Sequence, residues 1–200
     1  LLGIVNNVGT FSYWYTLTPD GIEKQWAVNH MAGFLLVNDL LDELVTSPRS
    51  VVINVGSDSH YLGCMDWKDP QMHNHYNGLS MYGRTKLANV LVASELNNRY
   101  KDKGLKAFVV DPGLVKTEIG FKENPPIVEF IWRLRRSGGT DASVPAECIR
   151  YLICNTDVWE STEIYWKDCK PKQASKRALD EKSVALLWDY SELICGMRKS

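Results

Sequence analysis

No run of uncharged apolar residues in the 200-residue sequence approaches the roughly 18–20 that a membrane-crossing helix requires. A basic, apolar, small-residue leader is also missing from its start. Membrane contact is therefore peripheral, or lies in a segment outside this sequence. Charge of one sign is lacking too: 23 basic and 24 acidic side chains nearly cancel, so no overall field draws the protein to nucleic acid or to an anionic bilayer. Cysteine is sparse, with five residues at positions 64, 148, 154, 169 and 195. Their odd number and the absence of CxxC spacing exclude a zinc ribbon and a complete disulfide framework, and point to an intracellular, reducing compartment. No internal repeat or low-complexity linker divides the chain, so residues 1–200 are read as one domain. The chain opens on "LLGIVNNVG", without Met and already inside an apolar run, which predicts an incomplete sequence.

What is present is an ordinary globular composition, 44% apolar and 24% charged. Three runs rich in Val and Ile, "LLGIVNN" (1–7), "SVVINVGS" (50–57) and "KAFVVDPG" (106–113), lack polar alternation and read as strands buried on both faces of a parallel sheet. Between them, residues 20–45 and 79–100 carry helical periodicity, the first with Asp20 as a candidate cap. Strand, helix, strand, helix, strand predicts an α/β fold, a doubly wound parallel sheet with helices on both faces. Residues 120–143 read as a long excursion with its own short helix, followed by a helix from about Val144 to Cys154, a strand in "STEIYW" and a closing helix over 179–194.

Polar groups gather at the ends of the predicted strands. Tyr82 and Lys86, four apart in "SMYGRTKLANVL", share one helix face, where an ammonium favours phenolate and suits the tyrosine to proton transfer. The same spacing is common on ordinary helices. Ser57 follows "VVINVG" at a strand's carboxyl end, where ligands bind in open α/β sheets; it reads either as a donor to a substrate oxygen or as a turn serine or helix cap. Asn29, inside a helix, either faces solvent or holds something internal. Pro112 and Gly113 let the backbone approach a ligand closely, and Thr117 adds a hydroxyl just beyond.

In chain order, "NNVG", "VNH" with Asn29, "INVGS" with Ser57, "YGRTK" with Tyr82 and Lys86, and "DPGLVKT" resemble the short-chain dehydrogenase/reductase family. "TPDGIEKQWAVNHMAGFLLVNDLL", the 24-residue gap between Ser57 and Tyr82, "KLANVL" and "YWKDCKPKQASKRALDEKSVALLWDYSELICG" are similar to its retinol-dehydrogenase-like branch. The resemblance implies a Rossmann-like fold and an NADP-dependent oxidoreductase, NAD being the other option, acting on a lipophilic carbonyl or alcohol such as a retinoid or steroid. It implies that Tyr82 exchanges a proton with the substrate oxygen, Ser57 orients that oxygen, Lys86 holds the nicotinamide ribose, and Asn29 holds a water in the relay. Asn6, Asn7, Gly9, Tyr82, Lys86, Pro112, Gly113, Val115 and Thr117 are implied to contact the cofactor. Helix pairing around 20–45 and 79–100 forms subunit interfaces in the family, which implies a homo-oligomer or larger assembly.

Departures from the family pattern bear on this reading. The Gly-rich phosphate-binding turn should precede "NNVG" and is not in the sequence, and without it a dinucleotide loses its helix N-terminus. Val8 stands where the family has alanine, Ala32 and Gly33 where the branch has Gly-His, and Gly56 where a second serine is common. These departures keep open a second function, a dehydrogenase-like subunit with a structural or binding role and little turnover. His73 and His75, two apart, lack a third metal ligand and read as part of a substrate loop, so no metal is expected. "PPIVEFIWRLRR" reads as a flap over substrate or as a membrane-resting segment. Cys169, with no basic partner predictable, reads as structural.

Overall fold

The computed structural model describes residues 1–115 and 139–197. Its sheet has five strands in the order β1 (Gly3–Asn6), β2 (Ser50–Val55), β3 (Leu105–Asp111), β4 (Tyr165–Lys167) and β5 (Lys170–Pro171), the first four parallel and the last antiparallel. Alternation along the strands divides two cores. Val52, Ala107, Val109 and Tyr165 face the larger one, which is closed by helices α1 (Lys24–Trp26), α2 (Ala32–Asp39), α3 (Leu41–Val45), α4 (Gly78–Tyr100) and α6 (Glu181–Ile194). Val51, Ile53, Phe108, Val110 and Trp166 face the smaller one, closed by α5 (Ser143–Cys154). The expected three-layer, doubly wound arrangement is the observed one.

β2 and β3 are buried along almost their whole length, as their unbroken apolar runs predict. β1 differs from the expectation of burial on both faces. Its Ile4 packs into the larger core, but Val5, on the α5 side, is 41% exposed, because no described element on that face reaches past β2. The strand expected in "STEIYW" begins later, at Tyr165, where the register with Val109 starts, and the short β5 follows it.

The first helical region is not one helix. A five-residue π turn, Ala27–Met31, follows α1, and Leu40, at φ −106°, separates α2 from α3. Glu23 caps α1 through Trp26 N at 2.7 Å, in place of Asp20. Glu23 has no exposed surface; Tyr76 Oη donates to its other oxygen at 2.9 Å, and Gln71 Oε1 accepts its backbone N–H at 2.8 Å. One carboxylate thus ties the helix start to the 71–78 loop. His30, buried beside Trp26 and bonded through Nε2 to Ser191 Oγ at 2.8 Å, is kept neutral because burial pushes its pKa down to about 3.

α4 begins at an Asn77 cap, whose side chain accepts from Ser80 N. Residues 81–93 of this helix are buried without a break, enclosed by the sheet on one side and by α1, α6 and the 60–77 segment on the others. Both helical regions implied to pair between subunits keep apolar side chains outward, Leu35 at 40% and Leu36 at 47% in the first and Leu79 at 63% in the second. The expected excursion over 120–143 and the "PPIVEFIWRLRR" segment lie outside the described residues, apart from the stretch after 138.

Candidate active site

β1, β2 and β3 run parallel, so Asn6, Ser57 and the Pro112-Gly113 turn all fall at one edge of the sheet, the carboxyl edge. Ser57 is extended, at φ −173° and ψ 151°, and caps a short 3-10 turn (Asp58–Tyr61) by accepting Ser59 N at 3.1 Å. Its hydroxyl also donates to Ser59 Oγ at 3.2 Å. The cap reading of this serine is therefore real, and its half-buried position at the strand end leaves the other reading intact.

Two glycines bring the Ser57 segment onto α4. A Cβ built on Gly63 would stand 2.4 Å from Gly83 O, and one built on Gly83 would stand 2.9 Å from Ser59 O. Backbone therefore touches backbone, beside the helical turn that carries Tyr82 and Lys86. The Tyr82 ring is 9% exposed and meets Phe11 edge-on, with centroids 6.1 Å apart.

Lys86 is 3% exposed, and its ammonium lies 5.6 Å from the Tyr82 ring centroid. It donates to Val55 O, at the end of β2, at 2.9 Å. Burial lowers its pKa to about 8. The unfolded lysine titrates near 10.5, so between pH 8 and 10.5 the unfolded chain holds the extra proton and stability rises with pH. At neutral pH the buried charge costs about 3 kcal/mol, against about 1 kcal/mol for the carbonyl bond. Lys86→Met is thus expected to stabilise the protein by about 2 kcal/mol at pH 7 and to abolish the rise above pH 8. Urea unfolding of both proteins at pH 7 and pH 10 checks it; equal stability at pH 7 with parallel pH dependence would refute it.

Asn29 sits inside the π turn, a local widening that is common at functional sites. Its side chain is fully committed: Oδ1 accepts Thr10 N at 2.6 Å, and Nδ2 donates to Thr10 O at 2.9 Å and to Thr85 Oγ1 at 3.1 Å. The amide clamps the chain leaving β1 to α4. The wide turn carries Ala32 N to Ala27 O, which breaks the regular carbonyl pattern next to Asn29. Asn6 is engaged in the same way, donating to Asn54 Oδ1 at 2.9 Å, while Asn54 donates to Asn89 O at 3.1 Å. A Cβ on Gly33 would lie 3.0 Å from the Asn6 amide, so the small residue at 33 makes room for this ladder.

Gly113 adopts φ +66°, and its backbone N–H donates to Asp111 Oδ1 at 2.9 Å. The other Asp111 oxygen belongs to an ion-pair quartet. Lys167 Nζ reaches Asp111 at 3.2 Å and Asp58 at 3.1 Å, and Lys172 bridges the same two carboxylates. With Asp111 almost fully buried, the quartet ties the Ser57 loop and the Gly113 turn to the β4–β5 hairpin. Val115 forms an isolated parallel bridge with Thr140, and Thr117 lies outside the described residues.

Asn7 and Val8 face outward, Val8 being 70% exposed, so its bulk meets no wall among the described residues. Gly9 is half-buried. His73 is bonded to Tyr15, and among the described residues no group of three His, Cys, Asp or Glu is placed to hold a metal. The sequence reading missed Thr10, Asn54, Thr85, Asn89 and the quartet. Asn54, an amide inside an otherwise apolar strand run, was the one local signal for any of them.

A sequence profile described as short chain dehydrogenase matches residues 1–126. Retinol dehydrogenase 14 of Mus musculus is 33% identical over 204 residues, covering 98% of this chain and 59% of its own length. Retinol dehydrogenase 12 of Mus musculus is 32% identical over 195 residues, with 98% and 61% covered. The chain thus spans about three-fifths of the length of these curated relatives. A solved structure of a protein from Mycobacterium Paratuberculosis aligns with a TM-score of 0.70 at 25% identity, over 98% of this chain and 67% of that one. The NADPH-bound carbonyl reductase from chicken fatty liver shares the fold, with a TM-score of 0.57 at 17% identity over 85% of this chain and 64% of its own. With the profile spanning 126 of 200 residues and relatives above 30% identity along nearly the whole sequence, the chain belongs to the short-chain dehydrogenase family.

Proposed function

We propose that the protein is an NADP-linked oxidoreductase that interconverts a lipophilic carbonyl and its alcohol. The observation that carries this reading is a buried ammonium, Lys86, one helical turn from Tyr82 and bonded to the carbonyl that ends β2. Burying a lysine is costly, and among the described residues one of its three donors meets an acceptor, Val55 O. The remaining donors suit the hydroxyls of a sugar, and Gly113, with no Cβ and positive φ, lets a flat ring approach the backbone. These residues fit a nicotinamide nucleotide, which supplies or accepts the hydride when bound.

The chain's own residues do the rest. The Tyr82 hydroxyl gives a proton to the substrate oxygen on reduction and takes it back on oxidation. Lys86 keeps a positive charge beside the phenol and favours its ionised form. Ser57 donates to the same substrate oxygen. Asn29 holds its turn through Thr10 and Thr85, so any water it binds in the relay meets its backbone carbonyl and not its amide.

A lipophilic substrate is supported by apolar side chains near the carboxyl edge: Trp14 is 58%, Leu62 83% and Leu114 47% exposed on its loops, and Leu79 is 63% exposed in the first turn of α4. No helix among the described residues is long and apolar enough to cross a membrane.

The test uses the full-length protein with NADPH and a series of aldehydes, one being retinal. Consumption of NADPH is expected, saturating at lower concentration for apolar aldehydes than for small polar ones, and Ser57→Ala should lower kcat by roughly a hundredfold. Absence of turnover with every aldehyde would favour the second reading, a non-catalytic binding subunit. That reading draws its support from the Ser57 hydroxyl being already bonded within its own turn.

A further inference from the structure

Two thiols with no part in the chemistry above meet on the α5 face of the sheet. Cys148, in the second turn of α5, is 1% exposed and belongs to the smaller core, against which Cys169 packs closely enough to perturb the Cys148 thiol. Cys169 packs against the smaller core from the two-residue turn joining β4 to β5, where Asp168 and Cys169 take φ of 50° and 56°. Such a turn favours Asn-Gly, since non-glycine side chains are strained at positive φ. The turn itself gains nothing from a cysteine. What the residue achieves is to hold a half-buried sulfur against a buried one from a different element.

We propose that Cys148 and Cys169 form a reversible disulfide, an oxidation site that fastens α5 to the β4–β5 turn. The oxidant required is a low-molecular-weight disulfide of the oxidised glutathione class. Cys169, the accessible partner, attacks one glutathione sulfur as its thiolate, forming a mixed disulfide and releasing the first glutathione, which takes up the proton lost by Cys169. Cys148 then attacks the Cys169 sulfur, releasing the second glutathione, which takes up the Cys148 proton. Two protein thiols are oxidised and one glutathione disulfide is reduced to two thiols, so electrons and protons balance. Burial pushes the Cys148 thiol up, so the more accessible Cys169 reacts first with the oxidant and Cys148 acts as the resolving partner.

The experiment incubates the full chain with oxidised glutathione, blocks free thiols under denaturing conditions, and counts and maps them by mass spectrometry. Free thiols are expected to fall from five to three, with one peptide pair joined through Cys148 and Cys169, and dithiothreitol should restore all five. Cys169→Ser, at a turn position outside the closed core, should keep its four remaining thiols free under the same treatment, one fewer than the wild-type five. Five thiols surviving in the wild type would overturn the proposal. So would pairing through Cys64, Cys154 or Cys195, a glutathione adduct that stops at Cys169, or loss of a thiol pair in Cys169→Ser.

Discussion

Tyr82→Phe is expected to lower kcat of the full-length protein by about a thousandfold while leaving the fold almost untouched. The two side chains differ by one hydroxyl. The ring is 9% exposed and packs edge-on against Phe11, contacts that phenylalanine reproduces. A positioned proton donor contributes about 10²- to 10⁴-fold, and a thousandfold corresponds to about 4 kcal/mol of transition-state stabilisation. Because the proposed role of the lost group is to act on the substrate oxygen as the carbon changes its bonding, kcat and kcat/KM should fall together. Lys86→Met forms the control pair: at saturating NADPH the double variant should have a kcat hardly lower than that of Tyr82→Phe alone, since the proposed effect of the ammonium on the proton transfer passes through the phenol, while its contacts to the cofactor sugar show in the KM for NADPH. Steady-state kinetics with NADPH and an apolar aldehyde, beside a thermal unfolding curve, measure both halves. A kcat within threefold of wild type, with normal unfolding, would remove Tyr82 from the proton path.

The features legible in the sequence are those that local pattern encodes. β2 and β3 declare themselves through unbroken β-branched runs, α4 through its 3.6-residue period, and Ser57, Tyr82 and Lys86 through short motifs at strand and helix boundaries. Other features depend on partners remote in the chain. Asp58 finds Lys167 and Lys172 more than 100 positions away, and nothing near "SDSH" announces them. The Asn6–Asn54–Asn89 ladder requires the parallel register of β1 with β2 before its amides can meet. The π turn hides in an ordinary helical period, since one wide turn shifts the apolar stripe by a single residue. Asp20 offered the better cap by residue type, yet Glu23 took the role because Gln71 and Tyr76 surround it, and only the folded chain supplies them.

Gly63→Ala tests how the Ser57 segment is held against α4, and its expected cost is about 3 kcal/mol, the upper range for overpacking. Gly63 has no positive φ, so its backbone suits alanine and only space is at issue. That space is filled by rigid atoms: the new methyl would lie 2.4 Å from Gly83 O, 2.9 Å from Gly83 C and 2.9 Å from Leu87 Cβ. None of these is the free end of a long side chain. Relief requires the 57–63 segment to move off the helix, and Arg177, whose Nη1 donates to Gly63 O at 3.2 Å, resists that movement. The melting temperature should drop by roughly 6–12 °C for a chain of this size. Activity should fall as well, because the displaced segment carries Ser57 away from the helix that bears Tyr82 and Lys86. Gly21→Ala supplies the contrast. Gly21 has φ +75° with nothing within 4 Å of a built Cβ, so alanine there meets only backbone strain; the cost should be about 1 kcal/mol, with kcat unchanged. Measuring unfolding and turnover on both variants separates space from conformation. A Gly63→Ala protein that loses stability but keeps wild-type kcat would show that the two segments touch without the contact setting the position of Ser57.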